Sequence, residues 1–200
     1  EIYREAIRMS LDHRLCRTWN IRMTAFLEPA LANFAKTARV AVTLADATRD
    51  DLPLVLVNPR FCELSGYQSD EILGRNCRFL QGDVRAQAGR ADIVRFLADE
   101  NAPSIRTSLL NFRKNGEPFV NLVLMTRLSD QRGRTRYIFA SQFNVTKTSG
   151  KEMDAHDAIL ERDVARMNAI AADHRYIMNA SLETIGRSVA QIAQCRMALG

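Results

Sequence analysis

Nine consecutive residues, Gly74-Arg75-Asn76-Cys77-Arg78-Phe79-Leu80-Gln81-Gly82, set a thiol, two amides and two guanidinium groups between two glycines. On a short helix Cys77 and Gln81 stand four apart on one face, so a ligand touched by one is within reach of the other. Arg78 can fork onto a phosphate. A cysteine on a partly apolar helix, taken alone, reads as a buried thiol, and Cys16, Cys62 and Cys195 are read that way. The neighbours of Cys77 make a ligand site the competing reading. Further along, Asn111, Asn121 and Gln142 fall in strand-like runs, and amides aimed at one sheet face are costly if that face is dry and empty.

Short β-rich runs at residues 39–45, 54–58, 105–112, 118–126 and 135–143 predict five strands, with short helical pieces over 60–99 between the second and third. This pattern implies an α+β fold on a five-stranded antiparallel sheet with inserted helices. The turn around Asn115-Gly116 decides which way the amides face. A two-residue loop would send Asn111 and Asn121 to opposite faces, whereas a three-residue loop of Asn115, Gly116 and Glu117, with Gly116 left-handed, would set Asn111 directly opposite Asn121. Amphipathic helices flank this region. Tyr3, Ile7, Leu11, Leu15, Trp19, Met23 and Phe26 form one apolar stripe, and a short helix through Leu31, Phe34 and Ala35 follows Pro29. Leu160, Val164, Met167, Ala171, His174 and Met178 form another, and Leu182, Ile185, Val189 and Ile192 a third, with Ser181 a candidate N-cap between these two. The expected division is a helical extension over 1–37, a core domain over 38–146 and a two-helix extension over 147–200.

The 200 residues are 46% hydrophobic and 26% charged, which excludes wholesale disorder and a disulfide-stapled mini-protein. No apolar run approaches the roughly 20 residues that a membrane span needs. The 4 Cys lie far apart without zinc-type spacing, so free thiols in a cytoplasmic setting are expected. The net charge of +5 is spread thinly without a basic cluster, making nucleic acid an unlikely partner. A chain that opens on Glu1 rather than Met reads as beginning internally.

The run around Cys77 closely resembles the signature of the LOV (light, oxygen, voltage) photosensor domains, a flavin-binding branch of the PAS family. The resemblance extends over about residues 38–146, through Asn58-Pro59-Arg60-Phe61-Cys62-Glu63-Leu64-Ser65-Gly66-Tyr67, Glu71-Ile72-Leu73-Gly74, Leu110-Asn111-Phe112-Arg113-Lys114-Asn115-Gly116, Phe119-Val120-Asn121-Leu122 and Ser141-Gln142-Phe143-Asn144-Val145-Thr146. It implies a bound FMN and a blue-light reaction in which the Cys77 thiol adds reversibly to the flavin ring. Asn111 and Asn121 would bond the pyrimidine-like edge, Gln142 would reorient as the signal switch, Asn76 and Gln81 would hold the ribityl hydroxyls, and Arg78 the phosphate. Leu80, Leu122, Leu124 and Phe139 are expected as core residues that also wall the flavin, with Phe79 among the core.

The chain departs from the family pattern after Gly82. Arg95 is the expected second phosphate ligand, with Arg85 and Arg90 as competitors, and Leu52 stands where many relatives carry a polar residue beside the ring. The resemblance implies a short photoreceptor without enzyme activity or a complete effector domain. Its output would be light-dependent homodimerisation through the terminal helices, or altered binding of a downstream signalling protein. The alternative is the sensor fragment of a light-regulated histidine kinase, for which His174 beside Arg175 would be the phosphoacceptor. His13 and His156 are expected to be solvated.

Overall fold

The computed structural model describes residues 28–84 and 86–178. The N-terminal stripe from Tyr3 to Phe26, Cys16, His13, Arg85, Cys195 and the stripe beginning at Leu182 lie outside them. Within them, α1 (Glu28–Thr37) leads into β1 (Ala41–Asp46) and β2 (Leu54–Val57). Then come α2 (Pro59–Ser65), α3 (Ser69–Ile72), a 3-10 helix (Cys77–Gln81) and α4 (Ala88–Ala98). The chain continues with β3 (Ser104–Phe112), β4 (Pro118–Ser129), β5 (Thr135–Asn144), α5 (Gly150–Asp173) and a two-residue β6 (Ile177–Met178). The sheet runs β2-β1-β5-β4-β3 and is antiparallel throughout. The α+β architecture and the five main strands match the expectation. The sixth strand does not: residues expected to continue a helix turn back at Arg175, whose φ is +61°, and Met178 pairs with Leu128.

Pro29 sits in the first turn of α1, where its missing N–H costs nothing. Asn58 ties α2 to the sheet: its Oδ1 accepts from the main-chain N–H of Val42 and Phe61, and its Nδ2 donates to Val40 O at 2.8 Å. Gly89 lets α4 lie against β3, since a Cβ there would stand 2.0 Å from the Ser108 carbonyl oxygen. Gln87 clasps the exposed edge of β3, donating to Leu110 O at 3.1 Å and accepting from its N–H at 2.7 Å. At the other end of α4, the Arg127 guanidinium donates to the carbonyls of Phe96, Asp99 and Ala102 at 2.6, 3.1 and 3.1 Å. The Phe96 carbonyl is one that the helix end leaves unpaired.

The hairpin turn differs by one residue from the expected one. Gly116, with φ +85°, closes a three-residue loop of Lys114, Asn115 and Gly116, and Arg113 N–H bonds Glu117 O. Asn111 therefore opposes Phe119 and Asn121 opposes Leu109. The two asparagines are diagonal rather than directly opposite. Because strand side chains alternate with period two, they still share a face.

The helices sort onto two sides of the sheet. Leu124, Leu128 and Phe139 meet α1 and α5, with Phe34 and Phe139 rings 6.1 Å apart. Leu160, Val164, Met167 and Ala171 are all buried in this layer. The stripe expected to seek an outside partner is thus satisfied within the fold, each large side chain contributing about 1.5–3 kcal/mol of burial. Polar contacts fix the angle of α5. Arg106 forms a two-pronged pair with Asp157 at 2.6 and 3.1 Å, and Asp163 accepts from Arg39 N–H at 2.7 Å.

His156 is not solvated. It is buried and stacks on Phe143, ring centroids 3.7 Å apart and planes within 7°. Desolvation lowers its pKa to about 4, Asp157 opposing that shift and Arg106 adding to it. Since the unfolded chain binds the proton more readily, the stability His156 contributes is complete above about pH 6.5 and is lost as pH falls toward 4. His156→Phe keeps the stack and removes the titration. Urea midpoints at pH 7 and pH 5 should differ less in this variant than in the parent chain; an equal difference would place the pH sensitivity elsewhere.

Candidate functional site

A cavity of about 200 Å3 opens between the sheet face away from α5 and the α4 and 3-10 helices. Each strand supplies alternate residues: Thr43 and Ala45 from β1, Ile138, Ala140 and Gln142 from β5, Asn121, Val123 and Met125 from β4, Leu109 and Asn111 from β3. The helical wall carries Cys77, Arg78 and Gln81, with Arg90, Ile93, Val94 and Leu97 from α4, while Asn76, Leu52 and Leu54 complete the rim.

The sheet wall is a chain of amides. Asn121 Nδ2 donates to Asn111 Oδ1 at 2.8 Å and to Gln142 Oε1 at 2.9 Å. Gln142 Nε2 faces Thr43 Oγ1 at 3.5 Å and the Cys77 Sγ at 3.8 Å. Cys77 thus meets the sheet at Gln142. Burial pushes its thiol up to about 12, a rise that the Gln142 amide moderates, so at neutral pH it keeps its proton. The Asn121 Oδ1 is buried without a partner. Such an acceptor is costly unless a ligand N–H meets it.

Asn76 Oδ1 accepts from Arg78 N–H at 2.9 Å, starting the 3-10 helix, and its Nδ2 donates to Asp51 O at 2.5 Å. The Arg78 guanidinium pairs with the Asp51 carboxylate at the mouth. Gln81 lines the cavity one turn beyond Cys77.

The structure brings together Asn76, Cys77, Arg78, Gln81, Asn111, Asn121 and Gln142 around one space. Four expected wall residues and one expected phosphate ligand lie elsewhere. Leu124 and Phe139 face α1 and α5, and Leu122 packs with Val120, Val145 and Met153 beneath α5. Parity is the reason: a strand that directs Asn121 into the cavity turns Leu122 and Leu124 away, and one that directs Gln142 inward turns Phe139 outward. Leu80 packs behind the 3-10 helix against Phe61 and Ile72. Arg95 is absent from the cavity wall and pairs with Asp92, whereas Arg90, in the first turn of α4, reaches the cavity. Counting by twos from Asn121 and Gln142 would have found Val123, Met125, Ala140 and Ile138. Ile93, Val94 and Leu97 needed the placement of α4.

A PAS domain family model matches residues 39–147. The crystal structure of a Rhodobacter sphaeroides LOV protein superposes with a TM-score of 0.65 at 32% identity, covering 88% of this chain and 95% of that one. The chain is a LOV domain of the PAS family. A blue-light-activated histidine kinase of Rhizobium johnstonii is 35% identical over 147 residues, 72% of this chain, and rice phototropin-2 is 36% identical over 126 residues, 63% of this chain. The chain spans 42% of the length of that kinase and 13% of that phototropin. The LOV family implies a flavin chromophore. The residues present fit one: the orphaned Asn121 Oδ1 lacks a donor that a flavin imide N–H would supply, and the cavity offers a guanidinium at its mouth. Among the described residues no helix is long and apolar enough to cross a membrane.

Proposed function

We propose that this LOV domain is the sensory part of a blue-light receptor that holds FMN and forms a reversible bond between the Cys77 sulfur and the flavin. One observation carries the reading: the Cys77 thiol and the Gln142 amide meet at 3.8 Å in a cavity whose amide wall ends in an unpaired, buried Asn121 Oδ1. When bound, the flavin would supply blue-light absorption and an electrophilic ring carbon. The chain's own residues would do the rest. Asn111 and Asn121 would hold the polar ring edge, Asn76 and Gln81 the ribityl hydroxyls, and Arg78 with Arg90 the phosphate. Cys77 would bring sulfur and proton together, because its thiol is neutral before illumination. Gln142, which accepts from Asn121 and donates toward Cys77, would exchange donor for acceptor by turning its amide.

The output we infer is altered packing of the segments that flank the sheet, read as a change in self-association or in binding a partner. Since the apolar stripe of α5 is already buried, any self-association falls to other surfaces, the flanking segments outside 28–178 among them. A second reading, the sensor portion of a histidine kinase, is favoured by the match to part of the Rhizobium protein. Against it, His174 is the C-cap that ends α5 rather than a residue within a helix.

The purified chain should be yellow, lose its blue absorption band on illumination and regain it in darkness. Cys77→Ala should bind the same chromophore and show no such cycle; reversible bleaching that survives this substitution overturns the reading. Size-exclusion runs in darkness and under blue light should give different apparent masses, and identical masses remove the self-association output. Incubation with ATP should leave His174 unphosphorylated, whereas phosphate on it would favour the kinase reading.

A further inference from the structure

Asp51 and Leu52 sit in the turn between β1 and β2 with φ of +67° and +48°. Neither is glycine, so this left-handed stretch persists only because its surroundings hold it. The Asp51 carboxylate pairs with the Arg78 guanidinium, and the Asp51 carbonyl accepts from Asn76 Nδ2 at 2.5 Å. The Leu52 side chain forms part of the cavity rim. The turn is thus fastened to the two residues assigned above to the ribityl hydroxyls and the phosphate. A fixed anion stands on the cation that a ligand phosphate would use.

We propose that Asp51 is a specificity-determining residue of the ligand site, weakening its preference for a flavin that carries a phosphate over the same flavin without one. The proposal rests on the flavin reading above. An arginine already paired with a carboxylate presents little net charge, so a phosphate bearing roughly −1.5 to −2 charges gains less from it. The phosphate must share the guanidinium or displace Asp51 into water. Both partners are more than half exposed, at 57% and 58%, so solvent screens the competition and its effect is several-fold rather than thousands-fold. The amides that would hold the ring lie along the sheet wall, so Asp51 acts on the phosphate alone. Arg90, the other guanidinium in the cavity wall, gives the site cationic character that Asp51 tempers.

The test is a competition on the full chain. Protein is equilibrated with equal excesses of FMN and riboflavin, freed of unbound ligand and denatured, and the two released flavins are quantified by chromatography. Asp51→Asn should raise the FMN-to-riboflavin ratio by about fivefold, with the affinity for riboflavin offered alone unchanged. In an Arg78→Gln background the same substitution should leave the ratio where it was. A ratio that is unchanged or lower in Asp51→Asn alone overturns the proposal. Should Asp51→Asn not fold, Arg78→Gln by itself decides: a guanidinium already held by Asp51 should cost less than about threefold in the ratio, and a larger fall overturns the proposal. A chain that takes up neither flavin overturns the flavin reading itself, a result distinct from a ratio that ignores Asp51.

Discussion

Three amide side chains on three neighbouring strands, Asn111, Asn121 and Gln142, are buried in a row along one face of the sheet. Amides in such a place must be paired, because each unmet donor or acceptor costs about 1–3 kcal/mol. They partly pair one another, through Asn121 Nδ2 to Asn111 and to Gln142, and leave Asn121 Oδ1 over. That remainder would suit a binding wall better than a closed core. It also makes strand register a functional quantity, since a slip of one residue between β3 and β4 would send Asn111 to the opposite layer.

The same alternation couples the two sides. Gln142 points into the cavity, and Phe143, the next residue, points the other way and stacks on His156 of α5. Val123 and Leu124 divide in the same manner on β4. A change in the hydrogen bonding of Gln142 therefore lies one peptide unit from the contact that seats α5. Beside that stack the Arg106–Asp157 pair fixes the helix, so directional contacts accompany the apolar layer between α5 and the sheet. A uniformly oily interface would absorb a small strand movement by sliding. A stacked ring and a two-pronged ion pair have preferred geometries and respond to it.

Much of this was legible in the sequence because its signals are local. Alternating β-rich runs, the Asn115-Gly116 turn and the Cys77 run announce five strands, a hairpin and a ligand helix. The observed hairpin loop differs by one residue from the expected one because Asn115-Gly116-Glu117 and Lys114-Asn115-Gly116 offer the same glycine, and only the Arg113–Glu117 main-chain bond chooses between them. Leu122, Leu124 and Phe139, expected as core residues first and flavin walls second, are large and apolar, a property both faces of the sheet share. Side-chain parity separates those faces, and it needed only the positions of Asn121 and Gln142. Burial of His156, the choice of Arg90 over Arg95 and the turn at Arg175 depend on contacts between residues far apart in the chain. No spacing rule within one segment carries them.

The position of charge in the cavity follows a consistent logic. Arg78 and Asp51 pair where water reaches them and Arg90 lines the helical wall, while the polar neighbours of the thiol, Gln142 and Thr43, do not titrate. An arginine moved next to Cys77 would lower its pKa and leave a standing thiolate, open to oxidation and to any electrophile that enters. A neutral thiol, pushed up to about 12 by burial, is inert until something in the cavity becomes basic enough to take its proton. On the reading proposed above, reactivity would be controlled by the ligand's electronic state instead of by the protein's resting field. A thiol meant to respond to a transient event has to be unreactive the rest of the time, and desolvation by apolar neighbours such as Leu54 and Ala45 achieves that without a dedicated acid or base.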